Sequence, residues 1–232
     1  MLKIIDQIFH FLLDSLFPIN NLDQILFSLS KEQAFTNLRQ SPPTPFHFIK
    51  SVFAYKDELV RSMVWNIKYK RSKKALEIGG YALHRYIFEN FISTDKHAGQ
   101  ILIIPIPIST RRKNERGYNQ CELLIDEIIK FDTDNSSKKL LFSKNLLKRK
   151  IHRDRQTLKN RNRRLEDAKK IFEIDQAELQ RIEFATKLPT TTDKLLILVI
   201  DDVVTTGSTI KEAVELMKSV GFKNVSGVSL AH

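Results

Sequence analysis

The chain has 232 residues, 42% of them hydrophobic, with 7 glycines and 7 prolines; this is enough for one globular domain with a small appendage and excludes a largely disordered protein. Its one cysteine, Cys121, excludes a disulfide framework and any multi-cysteine zinc site, and suits a reducing cytoplasm. The formal net charge of +11 is concentrated, because residues 138–170 carry fourteen Lys or Arg against three acids, which points to an anionic partner (a phosphorylated small molecule or a nucleic acid) or to a solvated helix face.

The apolar residues Ile5, Ile8, Phe9, Leu12, Leu13 and Leu16 recur at helical spacing, which predicts an amphipathic helix docked on the domain. Lys3, Asp6, His10 and Asp14 interrupt the run, so it is neither a membrane span nor, lacking a basic start and a small-residue cleavage site, a signal peptide. A cytoplasmic location is expected. Ser41-Pro42-Pro43-Thr44-Pro45 marks a break. It divides the chain into an N-terminal helical appendage, 1–45, and a main domain, 46–232.

After the break the pattern predicts an extended piece from Phe48 to Tyr55. A helix then starts near Asp57, with Leu59, Met63, Ile67 and Tyr69 facing inward, and a second helix runs from Lys74 to Phe91. Ile101–Ile106 reads as a buried strand, and 117–131 as a helix with Leu123, Leu124, Ile128 and Ile129 on one stripe. A polar loop covers 132–139. Next come a short strand at 145–148, a very basic helix at 156–168 and a strand at 171–174. Leu195–Ile200, six apolar residues in a row, is the clearest strand; it leads through 201–207 into a helix over 208–219 and a last strand at 225–230. Strands alternating with helices predict an α/β fold with a mainly parallel sheet.

The informative stretch is Asp201-Asp202-Val203-Val204-Thr205-Thr206-Gly207-Ser208-Thr209. A strand delivers two adjacent carboxylates to the carboxyl edge of the sheet. A loop of small hydroxyl residues and one glycine comes next, and a helix then begins with free amides and the positive end of its dipole. A ribose 5-phosphate fits, with its phosphate on Thr205–Thr209 and its diol on the aspartates. No Lys follows the glycine, so this is not a Walker loop. A strand-to-helix turn with ordinary Ser/Thr capping is the alternative.

This string resembles the phosphoribosyl pyrophosphate (PRPP) signature of type I phosphoribosyltransferases. Three further segments are similar to the ComF family, the competence-associated branch of that fold. They are Ile103-Ile104-Pro105-Ile106-Pro107-Ile108-Ser109-Thr110-Arg111-Arg112-Lys113-Asn114-Glu115-Arg116-Gly117-Tyr118-Asn119-Gln120, the triplet Ile67-Lys68-Tyr69, and 147–156 with Arg164. The resemblance covers residue 51 to the C-terminus. It implies the type I phosphoribosyltransferase fold, a mainly parallel sheet flanked by helices.

It also implies roles. Asp201 and Asp202 would hold the ribose and, through water and PRPP, a Mg²⁺ ion with no direct protein ligand. Val203, Val204, Thr205, Thr206, Gly207, Ser208 and Thr209 would receive the 5-phosphate, and Ile108, Ser109, Thr110 and Arg111 the pyrophosphate. Lys148 and Arg155 would act from a flexible loop, with Arg116, Gly117, Asn119 and Gln120 as loop support and Tyr118 packing. No residue stands out as a general base. Cys121 and Trp65 read as core residues, and none of the six histidines forms a metal-binding pair at helical spacing.

ComF proteins usually carry a four-cysteine zinc ribbon after a Leu-Phe-Pro-like triplet. Here Leu16-Phe17-Pro18 is present, but Asn20, Asn21 and Gln24 stand nearby and no cysteine does, so zinc is not expected. The implied function is a PRPP-binding phosphoribosyltransferase with an unidentified acceptor, linked to competence and DNA uptake. The alternative is a non-catalytic PRPP or nucleotide sensor that binds single-stranded DNA or DNA-uptake proteins through the basic segment. That segment contains only one aromatic residue, Phe142, which gives base stacking little support. Homodimers are common in the fold, and no sequence feature marks an interface.

Overall fold

The structure, a computed structural model, describes residues 21–93, 99–132, 140–150, 171–187 and 193–232. The amphipathic run 2–17, the loop 133–139, the basic helix 156–168 and Arg155 lie outside the described residues. The described elements are α1 (Asn21–Ser28), α2 (Lys31–Asn37), β1 (Ile49–Phe53), α3 (Glu58–Trp65), α4 (Lys73–Ile87), β2 (Gln100–Pro105), α5 (Thr110–Arg116) and α6 (Gln120–Asp132), followed by β3 (Leu140–Phe142), β4 (Leu147–Arg149), β5 (Phe172–Ile174), α7 (Gln176–Thr186), β6 (Leu195–Val203), α8 (Ser208–Ser219) and β7 (Asn224–Ala231). Among them no helix is long and apolar enough to cross a membrane.

Five strands form one parallel sheet in the order β1-β7-β6-β2-β3, while β4 and β5 form a separate antiparallel pair. The sheet is buried on both faces, which is why β6 shows no polar alternation along Leu195–Ile200. Leu196, Leu198 and Ile200 point into a core shared with α1–α4 and α6. Leu195, Ile197 and Val199 point into a second core with α8, β5 and α7. The helices behave as their caps dictate. Ser30 and Gln33 close a reciprocal capping box on α2, Asp57 accepts from Leu59 N at 2.9 Å to start α3, and Asp175 caps α7.

Three expectations change. α3 runs directly into a π-helical turn, Asn66–Lys70; Ile67 is fully buried, while Tyr69, two residues on and roughly 200° round the helix, is turned out to solvent at 45% exposure instead of facing inward. Trp65 is only half-buried and packs on Tyr69 with ring centroids 5.6 Å apart. The helix foreseen from Gly117 begins at Gln120; the preceding residues form the separate short helix α5, which Gly117 closes at φ 77°.

His84 on α4 is buried, and its Nε2 makes no hydrogen bond, lying 3.7 Å from Asp132 Oδ1. Burial holds its pKa below the ordinary histidine value, against the pull of Asp132. The folded state therefore favours the neutral ring. Stability from this site is present above pH ~6.5 and falls as pH drops through the lower folded value. Chemical denaturation at pH 7 and pH 5 should show a smaller acid-induced loss in His84→Gln than in the wild type.

Candidate functional site

The carboxyl edge of the sheet opens into a cleft of about 630 Å³, in the place where ligands of open α/β sheets bind. β6 supplies its floor. Asp202 is 4% exposed and Asp201 is half-buried. Asp202 N donates to Asp201 Oδ1 at 2.9 Å, and Val203 N donates to Asp202 Oδ1 at 2.7 Å. Burial first, and then the negative charge of Asp202, push the Asp201 carboxyl up to about 7.

Beyond the acids the chain turns into α8. Gly207 sits at φ 74°, a left-handed conformation that side chains rarely adopt, and a Cβ there would lie 2.9 Å from Phe46. Gly207 gives the helix no N-cap side chain; Ser208 N makes a long 3.4 Å bond to Thr206 Oγ1, and the residues of the first turn line a small polar hollow of about 40 Å³. Asp201, Val203–Ile210 and their hydroxyls line that hollow, with Thr206 Oγ1 and Ser208 Oγ 3.0 Å apart. All seven residues Val203–Thr209 expected around a phosphate lie on it.

The second wall follows β2. Ile106 N donates to Ile200 O at 2.9 Å, which sets the loop after β2 beside Asp201. Ile108, Ser109 and Arg111 line the cleft, and Thr110 does not. Ser109 caps α5 by accepting from Arg112 N at 3.3 Å, and Arg111 Nε donates to Glu115 Oε1 at 2.7 Å. Asn119 and Gln120 brace this loop from below. Asn119 Nδ2 donates to Ile106 O at 3.0 Å and its Oδ1 accepts from Cys121 N, while Gln120 Oε1 accepts from Arg116 Nη1 at 3.0 Å.

Four lining residues have no site role in the sequence reading, although three of them lie in segments that carry the resemblance. Lys68 reaches in from the π-helical turn, Arg112 from α5 and Arg149 from the end of β4, and Cys121 lies in the wall with Sγ donating to Asp201 Oδ1 at 3.6 Å. Burial, and then the charges of Asp201 and Asp202, push the Cys121 thiol well up. Arg149 is held below its ordinary value by burial and by the positive charge of Arg112, with Glu212 acting the other way. Lys148, by contrast, is turned away from the cleft and paired with Asp175. The signal that distinguishes Arg149 is strand alternation: adjacent residues of β4 point to opposite sides.

Two comparisons with known proteins bear on this geometry. A phosphoribosyl transferase domain family matches residues 153–231, a stretch that contains β6, the acids and α8. Competence protein F of Haemophilus influenzae is 28% identical over 130 residues, which cover 56% of this chain and 49% of that protein. The matched stretch thus spans about half the length of that curated relative. Over residues 153–231 the chain is therefore similar to the phosphoribosyl transferase domain family and over 130 residues to competence protein F, and its parallel sheet flanked by helices is consistent with a type I phosphoribosyltransferase fold.

Proposed function

We propose that the chain binds PRPP in this cleft and transfers its phosphoribosyl group to an acceptor. The observation that carries the reading is the start of α8, without an N-cap side chain, opening on a polar hollow beside two carboxylates at the sheet's carboxyl edge. The 5-phosphate takes the amides and hydroxyls of Thr205–Thr209, and the ribose diol takes Asp201 and Asp202. The diphosphate faces Ser109, Arg111, Arg112 and Arg149. Attack on C1 breaks the bond to the diphosphate oxygen, which leaves with the electron pair, and the guanidiniums stabilise the charge gathering there.

Asp202 Oδ2 already faces Lys68 Nζ at 3.3 Å. The acids therefore fit a magnesium ion held through its waters and the diphosphate, not by direct coordination. Bound that way, the ion would neutralise the leaving group.

Calorimetric titration tests the ligand. The wild type is expected to bind Mg-PRPP, and Asp202→Asn to bind it about 10-fold more weakly, since the amide keeps one acceptor oxygen but loses the charge that strengthens its hydrogen bonds. Absence of binding by the folded wild type sinks the proposal.

One observation favours a second reading, a PRPP sensor without turnover. Among the described residues no histidine lines the cleft, and Glu115, its one carboxylate besides the twin acids, is tied to Arg111. Pyrophosphate release from PRPP across a panel of bases and amines separates the two, since only a transferase releases it. The name of the relative extends either reading to DNA uptake, with the basic segment 138–170 as the surface for single-stranded DNA.

A further inference from the structure

The triplet Ile67-Lys68-Tyr69 has no role in the phosphate and ribose contacts, yet the fold goes to some length to fix its middle residue. The π-helical turn Asn66–Lys70 ends at Arg71, a non-glycine residue in the left-handed region at φ 47°, and such insertions recur at functional sites. Asn66 is buried and donates to the buried Asp23 at 2.8 Å. Tyr118 Oη donates to Ile67 O at 2.9 Å, and the Arg71 guanidinium stacks over the Tyr118 ring. The chain just before Lys68 is thus pinned by hydrogen bonds, and Tyr118, which follows the loop that bears the pyrophosphate-facing residues, contacts side chains and backbone on both sides of it. The Lys68 side chain, 21% exposed, lies in the cleft wall with Nζ 3.3 Å from Asp202 Oδ2, an atom that makes no hydrogen bond of its own.

We infer that Lys68 is a positioning residue for ribose recognition: its ammonium fixes the Asp202 carboxylate toward the sugar and supplies the charge that lets two adjacent acids both face the diol. The inference rests on the proposed placement of the ribose on Asp201 and Asp202. Both members of this ion pair line the cleft, and Asp202 Oδ2 is a buried oxygen with no hydrogen bond that faces the Lys68 ammonium. The lysine is thus placed to fix the orientation in which Asp202 meets the sugar. Removing Lys68 leaves two crowded carboxylates without the cation that pairs with Asp202, and the pair then turns from the sugar.

The test compares ribose 5-phosphate with 2-deoxyribose 5-phosphate, two probes that share the phosphate and differ only in the diol. The wild type is expected to prefer the ribose form by about tenfold, the worth of one good hydrogen bond to a charged group. Lys68→Met is expected to bind the two sugars equally while keeping the wild-type affinity for the deoxy form, and Lys68→Arg to restore part of the preference. A folded Lys68→Met that retains the full preference overturns the inference. So does one that loses both sugars in equal measure, since that is the signature of a structural role. Should the methionine variant unfold in a thermal scan, Lys68→Gln takes its place with the same expected outcome and the same two overturning ones. If the wild type itself shows no preference, it is the assignment of the twin acids to the diol that fails, a result distinct from any behaviour of the variants.

Discussion

Gly207→Val should lower the melting temperature by roughly 5–15 °C and weaken ribose 5-phosphate binding by about 100-fold or more. Two separate costs produce the first effect. A side chain at φ 74° takes on the left-handed penalty of roughly 1–2 kcal/mol. Its Cβ would also stand 2.9 Å from Phe46 and 3.1 Å from Ile49, and overpacking of that kind costs about 1–3 kcal/mol. For a chain of this size each kcal/mol moves the midpoint by about 2–4 °C. The binding loss has another origin, because relief of the strain turns the first turn of α8 away from the hollow it lines. Gly117→Ala is the control. Gly117 has nearly the same φ, 77°, but nothing lies within 4 Å of its added Cβ, so only the conformational penalty of roughly 1–2 kcal/mol remains, with a drop of a few degrees. A Gly207→Val protein that melts like Gly117→Ala and keeps its phosphate affinity contradicts both parts of the argument.

The contrast between these glycines shows what a sequence can and cannot disclose. β6 was legible because a strand buried on both faces must be apolar throughout, and Leu195–Ile200 is. The acids, the glycine and the hydroxyls of 201–209 were legible because they are contiguous, so their chemistry and their order arrive together. Lys68, Arg112, Arg149 and Cys121 come from four other parts of the chain, and only the tertiary fold, with β2 paired beside β6 and β4 paired with β5, brings them to one place. α5 has no buried residue and therefore no periodic signal; only its caps, Ser109 and Gly117, mark it. α7 buries just Ile182 and Thr186, too few to draw a stripe. The misplacement of Tyr69 has a sharper cause. Reading Tyr69 onto the inward face of Leu59, Met63 and Ile67 ignores the helical period itself, because a residue two places after Ile67 lies roughly 200° round the helix from it at 3.6 residues per turn, and the π-helical turn at Asn66–Lys70 does not bring it back.

That π-helical turn also ties the parts of the cleft together. Tyr118, between α5 and α6, holds the carbonyl of Ile67, and Arg116 lies over the Tyr69 ring at 5.2 Å. Arg116 in turn donates to Gln120 at the start of α6. The loop facing the diphosphate and the turn carrying Lys68 are therefore braced against one another. A ligand that draws α5 inward would act on Lys68 and Asp202 through the same contacts. Residues whose side chains never reach the ligand can still set its geometry here.

The double variant Arg112→Met, Arg149→Met is expected to weaken Mg-PRPP binding by about 100-fold or more, to leave ribose 5-phosphate binding close to wild type, and to leave the unliganded protein's melting temperature undiminished. The two guanidiniums approach the cleft from α5 and from the end of β4, and the charge of Arg112 raises the cost of charge on Arg149. The nearby carboxylates do not relieve them. Glu115 is engaged by Arg111, and Glu212 accepts from Ile171 N, although its charge favours Arg149 from a distance. Arg149, partly buried beside the positive charge of the exposed Arg112, is a liability to the empty protein and an asset once a multiply charged anion lies between the two. A hydrogen bond to a charged group contributes about 1.5–3 kcal/mol, and guanidiniums bind phosphate oxygens through paired donors. Losing two such contacts accounts for the expected factor. The sugar phosphate without its diphosphate never reaches them, so its affinity should not move. The melting temperature works in the opposite direction from an ordinary loss of contacts, since removing Arg149 gives up its stacking over Phe172 but also ends the repulsion. Equal losses for PRPP and for ribose 5-phosphate, or a steep fall in melting temperature, would show that these arginines hold the cleft's shape and not its ligand.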